Sequence, residues 1–140
     1  MGCFYTGFDY KNRKNGYFKI GETSKTTPTQ RIRQIQRKDC FQCLGYIQMI
    51  DETYAERLYV ESTVRLYLSK MPGLTHIQND HFSYRIISKE EKYSQAEAIA
   101  KLALNCAKNA CRVKDIRFKE GTKKISKTLK KEVDGQHKKV

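Results

Sequence analysis

Two short runs near the start of the chain decide how it is read: Gly2-Cys3-Phe4-Tyr5-Thr6-Gly7-Phe8 and Gly16-Tyr17-Phe18-Lys19-Ile20-Gly21. Both are short, aromatic-rich and open with glycine, which is strand chemistry. Between them lies a polar, basic segment that ends in Asn15-Gly16, a turn signal that predicts a hairpin. Side chains alternate along a strand, so Tyr17 and Lys19 share one face and Phe18 and Ile20 the other.

Downstream, Thr27-Pro28-Thr29-Gln30 carries an N-cap, a proline at the first helical position and a capping-box glutamine. The helix is predicted to run to about Arg37. Ile32 and Ile35 define its buried side; Arg31 points along the edge of the core, while Arg33 and Arg37 face solvent. A third strand is expected over Cys43–Ile50 and a second helix over Tyr54–Leu68, stopped before Pro72-Gly73. Leu58, Val64 and Leu68 form that helix's apolar arc, and Glu61 sits in its middle. A carboxylate on a buried stripe must be paired, neutral or metal-bound. Arg57 and Arg65, four residues to either side, offer a purely structural partner.

A fourth strand is predicted at His81–Ile87. Ser94-Gln95-Ala96-Glu97 reads as a capping box opening a helix to about Ala110, with Ala96, Ile99, Ala100, Ala103, Ala107 and Ala110 on its packed face. Beyond residue 111 apolar residues thin out. Residues 1–111 are therefore read as one domain and 112–140 as a basic, partly disordered tail. The expected class is α/β: a small, largely antiparallel central sheet flanked by helices, with a C-terminal helix and the tail appended.

With 140 residues and 39 % hydrophobic composition the chain is long enough for one core without staples. No apolar run approaches the roughly 20 residues of a membrane span. The formal charge of +13 points to a polyanionic partner, nucleic acid first and an anionic membrane surface second. Both parts of the chain are basic. Five cysteines, an odd number behind no signal peptide, suit a reduced intracellular setting, cytoplasmic or nuclear. Cys40-Phe-Gln-Cys43 is either half a zinc site or a pair of structural thiols. Met1-Gly2-Cys3 matches an acylation pattern, although Cys3–Phe8 also reads as a strand.

Residues 2–86 resemble the GIY-YIG nuclease superfamily, in the branch whose second motif reads Lys-Ile-Gly. Gly2-Cys3-Phe4-Tyr5 stands at the first motif and Lys19-Ile20-Gly21-Glu22-Thr23 at the second. Arg31, in Pro-x-x-Arg-x-x-x-Ile, stands where the family has its arginine, and Glu61 at its metal-binding glutamate. Asn79-Asp80-His81-Phe82 stands at a later strand entry. Arg65 occupies a place where the branch often has histidine.

The resemblance implies a DNA endonuclease that hydrolyses phosphodiester bonds with one Mg²⁺ or Mn²⁺ on Glu61. Arg31 would clamp the scissile phosphate through its planar donor fork. Tyr5 and Lys19 would orient or deprotonate the attacking water. Tyr17, Arg33, Asn79 and His81 would contact DNA. Cutting both strands at a palindrome would call for a homodimer. Two other readings stay open: a DNA-binding module of the same fold without cleavage, and an acylated basic protein of the membrane surface. Stable membrane association is not expected.

Overall fold

The computed structural model describes residues 2–10, 16–24, 40–78 and 80–135. Six strands form one antiparallel sheet: β1 (Gly2–Asp9), β2 (Gly16–Thr23), β3 (Phe41–Ile50), β4 (Leu74–Gln78), β5 (His81–Tyr84) and β6 (Arg117–Thr122). Their spatial order is β4-β5-β2-β1-β3-β6, with the two aromatic-rich runs at its centre. Helices α1 (Tyr54–Ser69), α2 (Glu91–Val113) and α3 (Lys127–Gly135) complete the described elements. The α/β architecture, an antiparallel sheet flanked by helices, is as expected from the sequence.

The hairpin pairing of β1 with β2 sets the register. Cys3 faces Thr23, Tyr5 faces Gly21, Gly7 faces Lys19 and Asp9 faces Tyr17. Directly opposed residues lie on one side of the sheet, so Tyr5, Lys19 and Tyr17 share a face. Phe4, Phe8, Phe18 and Ile20 point to the other face, into the main core with Val60, Val64 and Leu68 of α1 and the alanine-rich side of α2. All six residues predicted for the packed face of α2 are buried. On the Tyr5 side a smaller apolar cluster joins Cys3, Tyr5, Phe41 and Cys43. A bulge in β3 makes this possible: Thr6 pairs with Gly45 but Gly7 with Cys43, so the extra residue Leu44 shifts the alternation. Phe41 and Cys43 thus face the small cluster, while Leu44, Ile47 and Met49 enter the core.

Helix α1 begins at a capping box: the Thr53 hydroxyl accepts from the Glu56 amide at 3.1 Å and Glu56 accepts from the Thr53 amide at 2.8 Å. Its end is followed by Gly73, whose φ of +80° suits glycine in the turn into β4.

Four expectations are corrected. Helix α2 starts at Glu91 rather than Ser94; Ser88 accepts from the Glu91 amide at 3.1 Å, and Ser94 and Glu97 serve elsewhere. The strand expected at 81–87 ends at Tyr84. Leu74–Gln78 forms an edge strand that the sequence reading left out. Finally, residues 112–135 are not a loose tail. Arg117–Thr122 extends the sheet alongside β3, and α3 docks through the buried side chains of Leu129 and Val133, preceded by buried Ile125. The predicted helix 27–37 lies outside the described residues, as do the tail's last five residues. No described helix is long and apolar enough to cross a membrane.

Candidate active site

Tyr5 is the best-defined member of the predicted set. It is only 4 % exposed, and its ring lies edge-on to Phe41 with centroids 6.0 Å apart. It lies across Gly21, where a Cβ would collide with the ring and hydroxyl. The glycine of Lys-Ile-Gly is thus the space in which the tyrosine of the first strand sits. Two motifs sixteen residues apart in the chain are one packing unit.

Lys19 follows on the same face, opposite Gly7 of β1 and His81 of β5. Its ammonium is 6.0 Å from the centre of the Phe41 ring. Tyr17 stands one row further along, between Asp9 and Ser83. His81 Nε2 is 3.9 Å from Asp9 Oδ2. Four of the predicted residues, Tyr5, Tyr17, Lys19 and His81, are therefore gathered on one side of the sheet by register alone.

Glu61 is 7 % exposed on α1, the helix that packs on the opposite side. Its Oε1 accepts from Arg65 Nη2, and that same nitrogen donates to Asp80 Oδ1 at 3.0 Å. The Asp80 carbonyl in turn accepts from the Ile20 amide at 3.0 Å. Pairing between β5 and β2 reaches only Lys19, so Gly21–Thr23 continues past the end of β5. Glu61 is consequently tied to one side of the β2 stretch that Tyr5 covers on the other.

The structural ion pair foreseen for Glu61 is half realised. Arg65 makes it; Arg57 does not, its Nε donating to Glu22 Oε2 at 2.5 Å and its Nη1 to Glu52 Oε1 at 3.3 Å. Glu52 also accepts from the Gly2 amide at 2.9 Å, fastening the start of β1 to the entry of α1. Glu22, inside the second motif, thus has a structural task that sequence reading missed. Its even spacing from Phe18 and Ile20, on the helix side, was the available signal.

Glu61 Oε2 has no hydrogen bond among the described residues, and the buried Arg65 Nε has none either. One free carboxylate oxygen, with the rest of the shell supplied by water and phosphate, is the donor set a hard cation such as Mg²⁺ accepts. Glu61 is the residue of this set that could hold the implied ion, through the oxygen that Arg65 leaves open. Among the described residues no three His, Cys, Asp or Glu side chains converge on a common point. Arg31, Arg33 and Asn79 lie outside the described residues.

The cysteines are all free thiols. Cys40 is exposed, whereas Cys43 is buried and donates to the Gly45 carbonyl at 3.4 Å. Burial pushes the Cys3 thiol up to about 12 and the Cys43 thiol up to about 11. Both are held protonated at neutral pH, the state of structural thiols.

No family model, curated protein or solved structure matches this chain.

Proposed function

We propose that the protein is a metal-dependent DNA endonuclease that hydrolyses phosphodiester bonds. The observation that carries this reading is the interlock of Tyr5 with Gly21, beside Lys19 on the same face. It gives the spacing of the two N-terminal motifs a physical reason. The tie from Glu61 through Arg65 and Asp80 to Ile20 adds an inward-facing carboxylate next to that stretch.

In this mechanism the phosphate lies beside the Gly21–Thr23 end of β2, past the end of β5, with Tyr5 on one side of that stretch and Glu61 on the other. Arg31 neutralises its developing negative charge with paired N–H donors. The Tyr5 hydroxyl and the Lys19 amine orient or deprotonate the attacking water. Glu61 would hold the divalent cation, which when bound would supply neutralisation of charge on the phosphate. Tyr17 and His81 contact the flanking DNA.

A supercoiled-plasmid assay tests the reading. Nicking is expected with Mg²⁺ and not with EDTA. Glu61→Gln and Arg31→Ala should each abolish nicking and leave DNA binding intact. A parent protein that binds DNA but never nicks it with Mg²⁺ or Mn²⁺ would sink the endonuclease. The Arg65 contact, which already satisfies one Glu61 oxygen, favours the second reading, a DNA-binding module without cleavage, and the same assay separates the two.

A further inference from the structure

The face carrying Tyr17 and Lys19 continues across β5 to the sheet edge at β4. Tyr17 of β2 pairs with Ser83 of β5, and Ser83 pairs with Thr75 of β4. Three hydroxyls thus stand in one row across three strands, roughly 9.5 Å from end to end at the usual strand spacing. Alternation puts His81 and Arg85 on the same side of the β5 segment, two residues before and after Ser83. Tyr17, Thr75, Ser83 and Arg85 line a cavity of about 450 Å³. None of these four side chains has a hydrogen-bond or ion-pair partner among the described residues, and Thr75 and Arg85 are exposed. Donors without acceptors in a concave, cationic row are complementary to an anion that brings many acceptors of its own.

We propose that this groove seats the sugar-phosphate backbone of duplex DNA, with Arg85 supplying the charge and Tyr17, Ser83 and Thr75 the neutral donors. The inference rests on the nucleic-acid reading above and extends it: the duplex leaves the Tyr5–Lys19 site over β5 and exits past β4. Contacts of this kind fix position and register but read no sequence. Successive phosphates of one DNA strand rise ~3.4 Å along the helix axis while winding around it, so the row meets one or two of them. Asp9, opposite Tyr17 and beside His81, bounds the groove on its β1 side with negative charge.

The test is fluorescence anisotropy of the full chain with a short labelled DNA duplex, in EDTA, across a salt series. Arg85→Ala should weaken binding and reduce the slope of log K against log salt by about 0.9, the value of one released phosphate contact. Arg85→Lys should restore the slope. Ser83→Ala with Thr75→Val should weaken binding and leave the slope unchanged, since neutral donors release no counterions. Lys101→Ala, on the exposed side of α2, is the control and should match the parent. Arg85→Ala that behaves like Lys101→Ala would overturn the groove while leaving the nucleic-acid reading standing. A parent chain that does not bind duplex DNA at all would end both. Tighter binding to an RNA duplex of equal length would overturn the assignment to DNA.

Discussion

The two sides of the sheet are built from the same strands and serve opposite ends. On the helix side, Phe4, Phe8, Phe18 and Ile20 are sealed against α1 and α2, and the charges there are paired, Glu22 with Arg57 and Glu61 with Arg65. On the other side, Tyr5, Tyr17, Lys19 and His81 alternate with those same residues and bring hydroxyl, ammonium and imidazole groups together. One side is an argument about volume; the other is an argument about polar groups. The contrast teaches that β2 cannot slip by one residue, because a slip would bury Lys19 and expose Phe18.

The largest expected effect breaks the helix side. Phe18→Ala, at a fully buried position, should cost about 3–5 kcal/mol in denaturant unfolding, against less than about 0.5 kcal/mol for its neighbour Tyr17→Phe. Comparable costs at the two positions would show that the faces are not distinct. Next is the anchor of α3. The Tyr93 hydroxyl donates to Asp134 Oδ1 at 2.7 Å, and Glu97 accepts from the Ile125 amide at 2.9 Å. Tyr93→Phe should cost about 1.5 kcal/mol. Hydrogen exchange should then accelerate in α3 before it does in β1.

On the polar side, Gly21→Ala drives a methyl into the Tyr5 ring and should destabilise by about 1–3 kcal/mol. Tyr5→Leu in the same chain should recover part of that loss, a coupling readable in a double-mutant cycle.

The smallest effect compares the dryness of the two sides. Burial pushes the Cys43 thiol, on the polar side, and the Cys111 thiol, on the helix side, each up to about 11 from 9.0. Folded pKa values above the unfolded ones mean that stability is full below pH 9 and falls as pH rises towards 11, because only the unfolded chain releases the protons. Each thiol should account for about 1 kcal/mol lost by pH 10. Cys43→Ala and Cys111→Ala should flatten the pH slope equally, and an unequal flattening would mark one side as wetter.

The centre of the sheet was legible because its signals are local: two short aromatic runs, strict alternation, and a helix whose apolar arc begins after β3. The edges were not. Leu74–Gln78 buries only Leu74, and β6 only partly covers Phe118, so neither strand shows alternation. Exposed, charged edge strands are how sheets avoid pairing with one another, and the same property hides them from a hydrophobic pattern. Helix α3 did carry a signal, Ile125, Leu129 and Val133 at four-residue spacing, drowned by the surrounding lysines. In the site, the partner of Glu61 was readable from the i,i+4 rule, whereas Arg57 turning to Glu22 and Glu52 depends on pairing across 35 and 5 residues.

The clasp between Tyr5 and Gly21 has a consequence for how this chain can diverge. A ring occupying the place of a missing side chain makes the two positions a single heritable choice. Sequences that keep the phenol must keep the gap, and those that fill the gap must shrink the phenol. Whatever chemistry the phenol serves, the glycine is free to change only once the phenol has gone.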